Sequence, residues 1–178
     1  MSLGQANSAI VILVPEAEIC VGDFRRHHDP SAGAGMPAHV TLLYPFIAPA
    51  ALSDGHVDML KTCLGNFKPF AFSLPEVRRF PSRLLYLAPE PAEPFRDLTM
   101  ALWRVFPECP PYGGRHPEIV PHLSVAQAAS DAELAGIEPA FAAAFRNCGP
   151  VRCFADRISL MDDSGGRWKI RQDFLLRG

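Results

Sequence analysis

The chain has little positive charge and very little lysine. Its 178 residues include three lysines, and 17 basic side chains are outnumbered by 19 acidic ones, which gives a formal net charge of −2 and a pI of about 6.3. A chain with this balance has no global positive field to hold a long nucleic acid. We therefore expect no duplex partner, and local positive charge must bind any anionic substrate.

The motifs of common cofactor and metal sites are missing as well. The chain has no Walker loop, no dinucleotide-binding glycine fingerprint and no Cys-x-x-Cys pair. His27 and His28, followed by Asp29, have no further ligand at a suitable spacing. We therefore expect neither a cofactor nor a bound metal.

The cysteines and the apolar run at residues 9–14 indicate in which cellular compartment the chain is expected. The five cysteines are odd in number and include no Cys-x-x-Cys pair, so we expect a reducing cytoplasm and no disulfide framework. The apolar run 9–14 is too short to cross a bilayer. No lysine or arginine precedes it, as one would in a signal peptide. We expect no membrane association.

The chain does contain one short pattern twice. Residues 37–44 read PAHVTLLY and residues 121–126 read PHLSVA, so a histidine, any residue, a hydroxyl residue and an apolar residue follow a proline. Alternating apolar and polar positions predict a strand in both places. Residues i and i+2 of a strand share a face. His39 should therefore lie beside Thr41, and His122 beside Ser124.

The two motifs occupy equivalent places in an internal repeat. Each follows a predicted strand, a turn containing proline and glutamate, a predicted helix and a loop rich in glycine and proline. The predicted elements are strand 8–14, a helix ending near residue 28, the His39 strand, helix 57–67, strand 70–77, strand 83–88, helix 95–106, the His122 strand, helix 134–145, strand 151–161 and, after a hairpin turn at 162–166, strand 168–176.

This order of elements predicts an α+β fold of two similar lobes, with antiparallel sheets facing a central cleft and helices outside. The length suits one bilobal domain over residues 1–178. Lobe one would span about residues 8–80 and lobe two about 83–176, with strand exchange between them left open. A pseudo-twofold relation would bring His39 and His122 together across the cleft.

Two imidazoles with adjacent hydroxyls suit acid–base chemistry on a phosphate ester. With an ordinary pKa near 6.5, a histidine can act as base or as acid near neutral pH. Opening a cyclic phosphate needs one of each, and Thr41 and Ser124 can donate hydrogen bonds to the non-bridging oxygens. The residues alone leave open which histidine is the base.

Four other residues are candidates for substrate binding. Arg115 precedes His122 in a loop and Arg167 follows the Gly-Gly turn, and a guanidinium can pair with a phosphate. Tyr112 is in the same loop as Arg115 and could stack on a nucleobase. Trp168 either packs in the core or forms a wall of the cleft. The alternative for the arginines is a solvated surface charge, and for Tyr112 a simple turn.

The paired motifs in a duplicated α+β chain of this size resemble the 2H phosphoesterase superfamily, and within it the bacterial 2′-5′ RNA ligase-like proteins. The resemblance rests on His39, Thr41, His122 and Ser124, within HVTLLYPF, PPYGGRHPEIVPHLSVA and the C-terminal GRWKIRQDFLL. It implies a metal-independent phosphodiesterase that opens 2′,3′-cyclic phosphates of nucleotides or short RNA ends. It also favours His122 as base and His39 as acid, with a 2′-phosphate product.

Two other functions remain open from the sequence. A 2′-5′ RNA ligase needs a groove for two RNA strands, which three lysines and a negative net charge do not favour. A module that binds nucleotides or RNA ends without turnover would not need both histidines and both hydroxyls. A purely structural protein would leave the matched motifs unexplained. We expect a monomer that takes a small nucleotide or an RNA end.

Overall fold

The structure, a computed structural model, describes residues 6–178, which form eight strands and five α-helices. The strands are β1 (Ser8–Leu13), β2 (His39–Leu43), β3 (Phe70–Arg79), β4 (Leu84–Glu90), β5 (Leu123–Gln127), β6 (Val151–Ala155), β7 (Arg157–Asp162) and β8 (Lys169–Leu175). The helices are α1 (Glu18–His28), α2 (Pro30–Gly33), α3 (Asp54–Leu64), α4 (Glu93–Val105) and α5 (Asp131–Cys148).

All these strands belong to one antiparallel sheet, in the order β6-β3-β4-β5-β2-β1-β7-β8. Only Asp156 separates β6 from β7 in the chain, yet these strands lie near opposite ends of that order. The sheet must therefore curl until its two ends approach each other. The predicted α+β class is confirmed, and the strands that carry the two motifs, β2 and β5, pair at the centre of the sheet.

The two halves of the sheet exchange strands. β3 comes from the first half of the sequence but pairs with β4 and β6, while β7, from the second half, pairs with β1. A division of the chain near residues 80–83 therefore does not divide the sheet. The prediction of one strand over 151–161 is wrong, because its two parts pair with different neighbours and meet at Asp156.

The helices begin and pack as their sequences predict. Ser53 and Ser130 each accept a hydrogen bond from a backbone N–H in the first turn of the helix that follows. On α4 the apolar stripe of Phe95, Leu98 and Leu102 is fully buried. α4 packs against β2, and α1 against β5, so each motif strand is covered by a helix from the other half of the repeat. Within residues 6–178, no helix combines the length and the apolar character needed to cross a bilayer.

Two of the cysteines are bonded to each other. Cys20 in α1 and Cys148 at the end of α5 form a disulfide with their Cα atoms 5.8 Å apart, a single crosslink that the sequence analysis did not predict. Sequence spacing could not reveal it, because 128 positions separate the partners. The bond also removes the cysteine-based reason for a reducing compartment, and the cytoplasmic location stays a prediction.

Candidate active site at the β2–β5 pair

The two motifs meet across one strand pair. Val40 of β2 lies opposite Leu123 of β5 in an antiparallel ladder. Continuing this register by one residue sets His39 opposite Ser124. Residues directly opposite in such a ladder have Cβ atoms about 4.5–5.5 Å apart and share a face of the sheet. His39 is therefore next to the hydroxyl of the other motif as well as that of its own.

Extended by one residue the other way, just before β5 begins, the register sets Thr41 opposite His122, so the arrangement is reciprocal. All four motif side chains are half-buried, whereas the residues between them, Val40 and Leu123, are fully buried on the other face. The predicted pairing of each histidine with a hydroxyl thus becomes a cluster of four polar side chains on one face of the sheet.

Both imidazoles are held in the same tautomer by the same local bond. Nδ1 of His39 donates to the carbonyl of Pro37 at 2.8 Å, and Nδ1 of His122 donates to the carbonyl of Val120 at 2.8 Å. A carbonyl can only accept, so Nδ1 carries the hydrogen in each ring. Nε2 is then the atom of each imidazole that is free to take up a proton, and in the charged ring to give one.

Burial keeps His39 uncharged. Burial is the largest effect, and it lowers the pKa of His39 to about 4. The hydrogen bond to the Pro37 carbonyl and the negative charge of Asp29 act to raise this pKa. The positive charge of Arg25 and the neighbouring His122 act to lower it further. The free protein therefore holds His39 as the neutral imidazole at pH 7.

Burial also lowers the pKa of His122. The bond to the Val120 carbonyl opposes the shift, and nearby His116 adds to it. Both histidines are thus easier to deprotonate than a free imidazole. An anion bound between them would shift both pKa values upwards, because opposite charge favours the protonated form.

Aromatic rings surround His122. Phe80 and Tyr86 meet its imidazole edge-on, at centroid distances of 5.1 and 5.6 Å, and stack on each other at 4.3 Å. Tyr112 stacks on His122 at 5.9 Å. A cavity of about 720 Å³ opens here, within the size range of small-molecule sites. Its lining includes Phe80, Leu84, Tyr112, His116 and His122.

Tyr112 links the two halves of the site. Its side chain hydrogen-bonds Thr41 on β2, although Tyr112 itself lies in the loop before β5. Burial raises the pKa of Tyr112 to about 12, and the bond to Thr41 opposes that rise. The phenol is therefore a neutral hydrogen-bonding group over the whole physiological pH range. Tyr112 lies beside His122, and its stacking on a nucleobase stays a prediction.

The two predicted arginines lie outside this cavity. Arg115 is exposed in the loop of Tyr112 and does not line the space around His122. Arg167 is exposed and donates to the carbonyl of Gly33 at 3.4 Å, near the loop that leads to His39. Their contact with a phosphate stays a prediction, since neither is held against the motif side chains.

Trp168 packs on the His39 side of the sheet. It meets Tyr44 edge-on at 6.3 Å and joins the apolar cluster that includes Val11. Val11 lies opposite Thr41 in the β1–β2 ladder, so this cluster covers the face that carries the motif residues. Trp168 is thus a half-buried part of this cluster, and its contact with a substrate stays a prediction.

Sequence reasoning missed three residues around His122. Tyr86 lies opposite Ser124 in the β4–β5 ladder, but a tyrosine in a strand is more often core, and Tyr86 is indeed only 5% exposed. Phe80 lies in the turn after β3, where no periodicity marks it. His116 follows the glycines of the Tyr112 loop and carries no motif. A predicted pairing of the 83–88 strand with the His122 strand could have found Tyr86.

Within residues 6–178, no three His, Cys, Asp or Glu side chains come together in a group that could hold a metal ion.

Comparison with known proteins places the fold. A family model described as the 2′-5′ RNA ligase superfamily matches residues 13–167. TT0787 of Thermus thermophilus has a similar structure, with a TM-score of 0.66 at 17% identity over 97% of this chain and 98% of that one. LigT of E. coli in complex with 3′-AMP gives 0.60 at 18% identity, over 98% and 99%. The complex of LigT with NADP+ gives 0.59 at 17%, over 98% and 99%. A search of curated proteins found no match.

Proposed function

The chain belongs to the 2′-5′ RNA ligase superfamily, and from this premise we propose that it opens 2′,3′-cyclic phosphates of nucleotides or short RNA ends by acid–base catalysis between His39 and His122. One observation carries the proposal. Both histidines donate Nδ1–H to the carbonyl two residues earlier, which leaves two Nε2 atoms for one phosphate.

Each histidine has one proton transfer to make. Nε2 of His122, as base, takes a proton from a water as its oxygen bonds to phosphorus. The bond from phosphorus to O3′ breaks, and Nε2 of protonated His39 gives its proton to that oxygen. The product is a 2′-phosphate, and the two histidines have exchanged protonation states. Thr41 and Ser124 donate hydrogen bonds to the non-bridging oxygens, where negative charge is greatest.

The substrate supplies the charge that the mechanism needs. Both imidazoles are neutral in the free protein at pH 7, because burial lowers their pKa values. The phosphate anion favours protonation of an imidazole beside it. With one proton on the pair, one imidazole is the acid and the other is the base. The proposed proton transfers need no further group.

The cavity beside His122 suits the nucleoside part of the substrate. Phe80 and Tyr112 offer aromatic faces and edges, and stacking of a base on such a ring contributes about 1–3 kcal/mol. This supports a nucleotide or an RNA end over a simple phosphate ester. Stacking does not discriminate strongly between bases, so we expect turnover of all four 2′,3′-cyclic nucleotides.

Ligation is the second candidate, and the superfamily to which the chain belongs favours it. In this reaction the same two histidines would take the proton of a 5′-hydroxyl as it attacks the 2′,3′-cyclic phosphate and give a proton to the departing O3′, which leaves a 2′-5′ bond. The chain carries few lysines to hold two RNA strands, so we place hydrolysis first.

Phosphorus NMR of the protein with each 2′,3′-cyclic nucleotide, in excess EDTA, tests the proposal. We expect one phosphomonoester resonance, that of the 2′-phosphate, and the same rate after Arg104→Gln, an exposed position on α4. A 3′-phosphate would overturn the assignment of acid and base. No product from any cyclic nucleotide or cyclic-ended RNA would overturn hydrolysis, and joined product from paired RNA halves would establish ligation.

A further inference from the structure

One peptide group lies between a carboxylate and His39. Oε1 of Glu18 accepts a hydrogen bond from the backbone N–H of Ala38 at 2.6 Å. The carbonyl of the same peptide unit, that of Pro37, accepts from Nδ1 of His39 at 2.8 Å. Glu18, the peptide and the imidazole thus form a continuous chain of two hydrogen bonds.

We propose that Glu18 is a positioning residue for His39 and acts on it through the Pro37–Ala38 peptide. Hydrogen bonds in series polarise one another, and a carboxylate at the N–H end makes the carbonyl at the other end a stronger acceptor. The imidazole is then held in one tautomer and orientation, and its charged form gains a partner. A carboxylate bonded directly to a histidine has the same two effects in hydrolytic triads.

Arg25 contacts both the Glu18 carboxylate and the Met36–Ala38 segment to which that carboxylate is hydrogen-bonded. The guanidinium is 2% exposed, and its Nη2 donates to the carbonyl of Met36 at 3.0 Å. Its Nε donates to Asp29 at 3.0 Å, and Nη1 lies 3.8 Å from Glu18. The residue before Pro37 and the carboxylate beyond Ala38 are therefore fixed by one buried side chain, which keeps the peptide aligned with His39.

The second half of the repeat has an arginine in the place of Arg25, but it lacks the two-bond chain from carboxylate to imidazole, which we call the relay. Nε of Arg96 donates to the carbonyl of Ile119 at 3.2 Å, three residues before His122, as Met36 is three residues before His39. The carbonyl that holds His122 belongs to Val120, and the next residue is Pro121, which has no N–H for a carboxylate to bind. The relay therefore distinguishes His39 from His122 in an otherwise matched pair.

This asymmetry agrees with the role of His39 as acid in the proposed mechanism, because the acid is the imidazole that must be charged when the substrate is bound. The charged and titratable groups that face His39 are Arg25, Asp29 and His122, together with Glu18 through the peptide. Loss of the Glu18 charge should lower the pKa of His39. Loss of the Arg25 charge should raise it.

The test is Glu18→Gln, with Glu16→Gln as the matched control. Glu16 is two residues away, carries the same charge and is exposed, and no described hydrogen bond joins it to the Met36–Ala38 segment. Nitrogen-edited NMR of the imidazoles would follow each histidine through a pH titration. We expect a lower pKa for His39 in Glu18→Gln, an upfield shift of its Hδ1 resonance, and no change at His122. Glu16→Gln should match the wild type.

The kinetic readout rests on the proposed function, whereas the NMR readout does not. We expect kcat to fall about ten- to a hundredfold in Glu18→Gln with little change in KM, a loss on the scale found when the hydrogen-bond partner of a metal-bound histidine is replaced. An unchanged His39 pKa in Glu18→Gln, or an equal shift in Glu16→Gln, would overturn the relay. A wild-type protein without turnover would overturn only the proposed function.

Discussion

The ring of Tyr112 stacks on the imidazole of His122, with centroids 5.9 Å apart and planes inclined by 23°. The side chain of the same residue hydrogen-bonds Thr41 on the neighbouring strand. Tyr112 does this from a backbone with a φ of 52°, which is uncommon for a residue other than glycine. Such conformations persist where the surroundings fix them, and they cluster at functional sites.

Two substitutions at Tyr112 distinguish the contribution of its hydroxyl to activity from that of its ring. Tyr112→Phe keeps the stacking surface and loses one hydrogen bond, worth about 1 kcal/mol, so we expect kcat/KM for a cyclic nucleotide to fall less than about tenfold. Tyr112→Ala also removes the surface for the base, and KM should rise about 5- to 150-fold. Steady-state kinetics of both variants measures this. Equal losses in the two would show that the ring does not contact the substrate.

The lowered pKa values of the histidines predict an acidic optimum. The active form holds one proton between His39 and His122, and burial shifts both pKa values below 6.5. As pH rises through these lowered pKa values the free enzyme loses the proton that the acid must supply, so kcat/KM should reach its maximum below about pH 6.5 and decline towards neutrality. A profile of kcat/KM from about pH 4 to pH 8 reports these pKa values, and a maximum above pH 7 would contradict them.

The buried position of Arg25 predicts a large effect on stability. Arg25→Ala leaves Asp29, 9% exposed, without its partner, and breaking such a buried pair costs about 3–5 kcal/mol. The adjacent Arg26 pairs with Asp23 at the surface, where an ion pair contributes about 0–1 kcal/mol. Urea unfolding of Arg25→Ala and Arg26→Ala compares the two. Similar free energies of unfolding would show that the Arg25 cluster does not stabilise the fold.

The disulfide predicts a thiol count and a loss of stability on reduction. Alkylation of the denatured, unreduced protein should modify three cysteines, Cys63, Cys109 and Cys153. All five should react after reduction. The Cys20–Cys148 bond closes a long loop, and its reduction should lower the free energy of unfolding by about 2–4 kcal/mol. Mass spectrometry that finds five alkylated cysteines before reduction would contradict the bond.

The strand periodicity made much of the site predictable. A histidine and a hydroxyl two residues apart must share a face of a strand, and the structure sets His39 with Thr41 and His122 with Ser124 in this way. The repeat placed both motifs at equivalent positions, which in the folded chain are neighbouring central strands. Local pattern and topology agree here, because the motif strands are short, regular and buried on their other face.

Long-range contacts were not predictable from local pattern. Phe80 reaches His122 from a turn after β3, and Glu18 reaches Ala38 from the first turn of α1. The Cys20–Cys148 bond joins two helices that no spacing rule relates. The alternation over 151–161 changes phase at the consecutive polar residues Asp156 and Arg157, but a phase change alone does not distinguish a bulge within one strand from a crossing from one end of the sheet to near the other.

The most direct test of the two-histidine mechanism is the rate of 2′,3′-cyclic nucleotide hydrolysis by His39→Ala, His122→Ala and the double variant, each checked for native circular dichroism. Residues that act as one unit are not additive. We therefore predict that either single variant loses nearly all turnover and that the double variant is hardly slower. Near-normal turnover in either single variant would contradict catalysis by the pair.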